Sequence, residues 1–166
     1  MDELASRQLA ALARLQELFA SEHVEHWLFG GWAVDFYVGS VTRAHDDIDL
    51  AVWLDDLPRV RELLEADDWR HAPEPDEDGG TGYERAGVRL ELTYLARDGE
   101  GAIFIPLRGG PASWSRDALG SDLRALLGVQ ARVVSLASLV RGKSTSRDDP
   151  QDAAKDRADF RALSEL

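Results

Sequence analysis

The sequence predicts an α/β (α+β) protein: a mixed sheet flanked by helices, with a small C-terminal helical part. Three observations carry that prediction. Residues 3–20 place apolar side chains at helical spacing, and residues 88–96 alternate apolar with polar side chains at period two. Between residues 27 and 53 the chain reads WLFGGWAVDFYVGSVTRAHDDIDLAVW, in which a Gly-Gly turn joins a strand to a helix and a second apolar strand carries paired aspartates. Residues 1–110 are expected to form the core and 111–166 an extension, mainly helical, packed on it.

Taken in order, Leu4, Leu9, Leu12, Leu15, Leu18 and Phe19 predict an amphipathic helix over 3–20. A short strand follows at 26–29. Gly30 and Gly31 bend the chain into a helix over 32–38, which Gly39 ends. The aspartate strand is expected at 47–53, a helix at 57–66 and a short strand at 69–72. Residues 73–80, PEPDEDGG, have the Pro, Gly and charge content of an exposed loop. A hairpin turns at Gly87 between strands at 82–86 and 88–96, and its second arm sets Arg89, Glu91 and Thr93 on a polar face. Residues 98–110 are turn-rich with one short strand at 102–105. A strand at 130–134, a helix at 135–142 capped by Ser135 and a last helix at 150–163, with Ala154, Ala158 and Leu163 on one side, complete the reading.

Composition excludes several classes of function. With 166 residues, 44% hydrophobic and 30% charged, the chain has globular composition and length enough for a real core. It has no run of 18 apolar residues and no basic, cleavable leader, so a cytoplasmic protein without a membrane partner is expected. The absence of cysteine excludes disulfides and thiolate chemistry. A formal net charge of -12 argues against a nucleic-acid partner, which would need clustered Lys and Arg, and favours small cations. Lys143 and Lys155 are the two lysines of the chain; the skew is either compositional or a need for an ammonium at these positions.

The aspartates are the chemical signal. Alternate strand residues share a face, so Asp47 and Asp49 point together while Ile48 and Leu50 point to the core. At ~6 to 7 Å by strand rise two such charges repel by ~2 to 3 kcal/mol at an effective dielectric near 20, and Asp46 adds a third. A divalent metal that also grips phosphate relieves this repulsion. A calcium loop does not fit, because its glycine and distal glutamate are missing at the needed offsets. Alone, Gly30-Gly31 reads more readily as a plain tight turn; next to the aspartate strand it suits a phosphate at a helix start. Thr42, Arg43 and His45, just before the aspartates, are candidates for triphosphate contact, although a turn histidine bonded to backbone is an equal reading for His45.

The stretch GGWAVDFYVGSVTRAHDDIDL resembles the signature of the DNA polymerase beta-type nucleotidyltransferases, in the small antibiotic-modifying branch of aminoglycoside 2''- and lincosamide nucleotidyltransferases. The resemblance is specific over 27–53 and looser over 83–96 and 128–163. It implies a polymerase-beta-like nucleotidyltransferase core in which Asp47 and Asp49 hold metal ions, Gly30 and Gly31 cradle the phosphates, and Glu91 completes the site as third ligand or base. Glu91 stands where aspartate is the more frequent residue, with an exposed pair to Arg89 or Arg97 as its plain reading and Glu84 as the fallback base. Lys143 corresponds to a C-terminal cation near phosphate. Lys155 and Asp159 also fit a family pattern but read as an i,i+4 surface pair.

The expected activity is Mg2+-dependent transfer, with two ions, of AMP from ATP, or of another NMP from its NTP, to a hydroxyl of a small cationic antibiotic-like acceptor, an aminoglycoside before a lincosamide. A monomer or homodimer is expected. The rival is a nucleotidyltransferase-type antitoxin acting on a partner protein. The five tryptophans, at 27, 32, 53, 69 and 114, are either core or a stacking surface, and Asp76, Glu77 and Asp78 either a solvated loop or a guide for polycations.

Overall fold

Helices and strands alternate over the first 66 residues, then a run of strands and two final helices follow, in a computed structural model that describes residues 1–144 and 147–166. Helix α1 (Glu3–Ser21) starts where the Asp2 carboxylate accepts from the Ala5 N–H at 2.7 Å, and it buries Leu9, Leu12, Leu15 and Phe19. Strand β1 (His26–Phe29) runs straight into α2 (Gly30–Val38), which ends on the left-handed Gly39 with its N–H donating to the Asp35 carbonyl at 2.8 Å. Strand β2 (Ile48–Trp53) leads through a short 3-10 turn, Leu54–Asp56, into α3 (Leu57–Ala66), with Pro58 in its first turn. Then come β3 (Arg70–His71), β4 (Gly80–Arg85), β5 (Val88–Arg97), β6 (Ile103–Ile105) and β7 (Ala112–Trp114). A β8 (Leu123–Leu126) and β9 (Val129–Arg132) hairpin, α4 (Leu136–Ser144) and α5 (Pro150–Ser164) finish the chain.

The main sheet has the order β1-β2-β5-β4-β3, antiparallel except for β2 against β5, so the expected mixed sheet flanked by helices is present. The parallel pair needs a crossover, which α3 and the following strands supply. The outer half of β5 pairs with β6, and β6 with β7. Register sets one row across four strands: Phe29 opposite Asp49, Asp49 opposite Glu91, and Glu91 opposite Gly82.

Residues 111–166 contribute strands as well as helices. Leu126, Ala131, Val133, Val134, Leu139 and Leu163 are buried in the same cluster as Leu12, Leu28 and Leu50, and the Val134 N–H donates to the Leu28 carbonyl at 3.0 Å. Among the described residues no helix is long and apolar enough to cross a membrane.

Several boundaries differ from the sequence expectation. Helix α2 begins at Gly30 rather than 32, because a positive φ of 71° at Gly30 makes the whole turn in one residue. Strand β2 begins at Ile48, leaving Asp47 just before it. Strands β7 and β8 were not expected: each is three or four residues long and largely exposed, and gains its pairing from a distant or hairpin neighbour rather than from an apolar pattern. On α5 the expected face of Ala154, Ala158 and Leu163 is wrong: Asp156, Asp159 and Leu163 are the buried residues, and both alanines are exposed.

Candidate functional site

A cleft of about 660 Å³ opens where the N-terminus of α2, the start of β2 and the two C-terminal helices converge, lined by Gly30, Gly31, Asp47, Asp49, Lys143 and Arg147 among others. Gly30 and Asp49 lie against each other. A Cβ on Gly30 would stand 2.2 Å from Asp49 Oδ2, and one on Gly31 would stand 2.5 Å from both Arg43 Nη2 and His45 Nδ1. The glycines are therefore the condition for bringing a carboxylate, a guanidinium and an imidazole against one helix start.

Asp49 keeps an edge on the cleft while protein surrounds the rest of its carboxyl. Burial, and after it the charge of Asp47, push its pKa up to about 8. Burial raises Asp47 as well, with the charge of Asp46 adding to it. Asp46 itself is drawn off by Lys155, whose Nζ stands 2.6 Å from its Oδ2.

The cations along the far wall are held from behind. Arg43 gives Nε and Nη2 to the two oxygens of Asp159, both at 2.8 Å. Lys143 Nζ bridges Asp156 Oδ1 at 3.1 Å and Asp159 Oδ2 at 2.9 Å. Arg147 forks onto Asp156, with Nε to Oδ2 at 2.5 Å and Nη2 to Oδ1 at 2.7 Å. Burial opposes ionisation of both aspartates, but the hydrogen bonds from these cations outweigh it and hold Asp156 and Asp159 below the usual carboxylate range. The reading of Lys155 and Asp159 as a mutual surface pair is thus overturned: Asp159 is 1% exposed and faces inward, and Lys155 turns to Asp46.

Beneath this wall, Asp35 of α2 is fully buried. It accepts from the Thr42 hydroxyl at 2.5 Å and the Thr42 N–H at 3.1 Å on Oδ1, and lies 2.6 Å from His45 Nε2 on Oδ2. His45 also packs its ring on Trp32 at 4.6 Å, and its carbonyl accepts from the Gln8 side chain at 3.0 Å. Thr42 does not line the cleft; its hydroxyl is committed to tying the 42–45 segment to α2.

Glu91 sits in register beside Asp49 but is not part of the cleft lining. Arg89 Nε reaches its Oε1 at 2.6 Å, and a Cβ at Gly82 would fall 2.0 Å from Arg89 Nη2, so the guanidinium occupies the space that this glycine leaves. Burial raises the Glu91 pKa and the Arg89 pairing offsets part of that rise. Glu84 is engaged by Arg70 at 2.6 Å and by Arg89 at 3.4 Å.

The residues fit a divalent cation. Asp47 and Asp49 face one cleft, burial raises the pKa of both and the charge of Asp47 raises Asp49 further, and no described side chain or N–H donates to either. No group of three His, Asp or Glu stands at metal-holding spacing among the described residues. Two carboxylates would leave the remaining positions around such an ion to water and phosphate oxygens.

Of the residues expected from the sequence, Gly30, Gly31, Arg43, His45, Asp47, Asp49 and Lys143 line one cleft; sequence reasoning missed Asp35, Arg147 and Asp156 and took Asp159 for a surface residue. The available signal was a lone aspartate in the apolar helix GGWAVDFYV, and carboxylates one turn apart on α5 with arginine and lysine just upstream. Of the tryptophans, Trp114 alone among the described residues lines the cleft, edge-on to Phe29 at 5.6 Å. Trp27, Trp32 and Trp69 are core.

Comparison with known proteins gives the following. The sequence profile of the family described as Aminoglycoside-2''-adenylyltransferase matches residues 11–138. Over 24 residues the chain is 67% identical to a 2''-aminoglycoside nucleotidyltransferase of Escherichia coli and equally to one of Klebsiella pneumoniae; that stretch spans 14% of this chain and 14% of either relative. The crystal structure of ANT(2")-Ia in complex with adenylyl-2"-tobramycin is similar with a TM-score of 0.77 at 21% identity, over 96% of this chain and 88% of that one. The lincosamide antibiotic adenylyltransferase LnuA, lincomycin-bound, is similar with a TM-score of 0.70 at 20% identity, over 91% of this chain and 92% of that one. At such identities these structures show that the fold is shared.

Proposed function

The chain belongs to the aminoglycoside-2''-adenylyltransferase family, and from that premise we propose that it transfers a nucleoside monophosphate, AMP from ATP in the first instance, to a hydroxyl of a small cationic antibiotic. The observation that carries this reading is the meeting of Asp47 and Asp49 with the Gly30-Gly31 helix start on one cleft. Asp47 and Asp49 would hold magnesium, two ions for a reaction of this kind. When bound, the metal neutralises the phosphoryl oxygens and eases displacement at the α-phosphorus.

The chain's own groups do the rest. The exposed N–H groups at the start of α2 suit phosphate oxygens, and Arg43, His45 and Lys143 face the same space. Glu91 is the proposed base, with Glu84 the alternative. Arg89 occupies Oε1 of Glu91 and leaves Oε2 to accept the acceptor's hydroxyl proton. The hydroxyl oxygen then bonds to the α-phosphorus as the bond to pyrophosphate breaks. Trp114 offers its ring to the nucleotide base or the acceptor. A net charge of -12 supports an aminoglycoside over a lincosamide.

The test is a transfer assay. Purified protein, magnesium and each of four triphosphates are incubated with a panel of aminoglycosides and lincosamides, and products are weighed by mass spectrometry. The expected result is an acceptor heavier by one nucleotide, with pyrophosphate released, in wild type and not in Asp49→Asn. No adduct with any pair of substrates would overturn the reading.

A further inference from the structure

The buried face of α5 is charged, which a helix docked for stability alone does not need. Asp156 and Asp159, 4% and 1% exposed, lie one turn apart and between them hold Arg43, Lys143 and Arg147. All three cations line the cleft that Asp47 and Asp49 share, and Lys143 and Arg147 lie close enough to Asp49 to draw its pKa down. Arg147 also meets Asp152, Nη1 to Oδ2 at 3.5 Å, so on that wall three cations face three carboxylates.

Donor geometry shows what the pairing leaves over. Arg43 uses Nε and Nη2 on Asp159 and gives Nη1 to the Ala44 carbonyl at 2.9 Å, which leaves one N–H on each terminal nitrogen. Lys143 has three ammonium protons and two carboxylate partners. Arg147 spends Nε and Nη2 on Asp156 and turns Nη1 to Asp152, so each of the three cations is held by carboxylates and keeps an N–H for a further acceptor. Lys143, Arg147, Asp156 and Asp159 all lie beyond residue 138, where the family match stops.

We propose that Asp156 and Asp159 are positioning residues that preorganise Arg43, Lys143 and Arg147 as a clamp for the polyphosphate of the nucleotide, with Arg147 a phosphate-binding residue in its own right. The inference rests on the proposed nucleotidyl transfer. Without its carboxylate anchors a long cationic side chain samples many rotamers, and the ordering must then be met on binding. The rival explanation, in which the aspartates are only internal counter-ions, has the opposite sign: neutralising one would free positive charge and tighten polyphosphate binding.

The experiment is calorimetric titration of a non-hydrolysable ATP analogue with magnesium into wild type, Asp156→Asn, Asp159→Asn and Arg147→Gln, together with steady-state KM for triphosphate and for acceptor. Weakening on the order of tenfold for each variant is expected, as for outer residues that orient a ligand-binding group. The KM for triphosphate should rise while that for the acceptor stays near wild type. Arg147 is half exposed, so Arg147→Gln remains informative if an aspartate variant does not fold. Unchanged or tighter analogue binding in the folded variants overturns the clamp. Wild type that takes up no analogue overturns the nucleotidyl-transfer reading beneath it.

Discussion

Asp49 is the residue where the fold works against itself. Its folded-state pKa of about 8 lies above the ordinary carboxylate value near 4, so the protonated form is the one the fold tolerates. The sign follows: the metal-free protein keeps the full contribution of this group below pH ~4 and loses it as pH rises through 8. Asp49→Asn removes that loss. In chelator, its melting midpoint should exceed that of wild type by a margin that grows from pH 5 to pH 8 and then levels off, with at least ~1 kcal/mol, or ~3 °C, reached at the plateau. Differential scanning calorimetry across that range checks it; a margin that shrinks with pH contradicts the burial of the carboxylate. Asp35 makes the opposite case. It is more fully enclosed, but three donors satisfy it, and the segment carrying Arg43 and His45 is anchored through it.

Helix α5 is the element whose docking depends most on ionisation. Asp156 and Asp159 are held below the ordinary range, so their contribution is present above pH ~4 and is lost as pH falls through their depressed values. Hydrogen exchange should show α5 amides protected down to about pH 4 and released below it before those of β2 and β5. Asp159→Ala should bring this release to neutral pH at a cost of ~3 to 5 kcal/mol, because Arg43 would lose its carboxylate partner and Lys143 would keep only Asp156. Simultaneous loss of protection in α5 and the central strands would refute an electrostatically docked helix. The Gly30-Gly31 junction behaves differently, since it is fixed by space: a side chain at either position would collide with Asp49, or with Arg43 and His45, at any pH.

At the scale of the whole molecule, the two parts expected from the sequence share one core. Leu126, Ala131, Val133, Val134, Leu139 and Leu163 bury with residues of α1, β1 and β2, and the cleft takes Asp47, Asp49 and Arg43 from the first part and Lys143, Arg147 and Asp156 from the second. A chain cut after residue 110 should therefore show no cooperative thermal transition and should bind a hydrophobic dye, as a compact state without fixed packing does. A sharp calorimetric transition in that fragment would show that residues 1–110 fold alone.

Much of this was legible along the chain. Periodicity found α1 and β5, glycines found the turn into α2 and its end, and alternation in DDIDL set Asp47 and Asp49 together, because these are local consequences of backbone geometry within a few residues. The family resemblance agreed with the profile match over residues 11–138. Tertiary structure alone decided which charges meet: that Arg43 pairs with a carboxylate 116 residues away, that Arg89 rather than Arg97 claims Glu91, and that α5 turns its acidic rather than its alanine face inward. Sequence spacing ranks such partners by proximity along the chain, whereas the fold ranks them by how much desolvation each contact must offset.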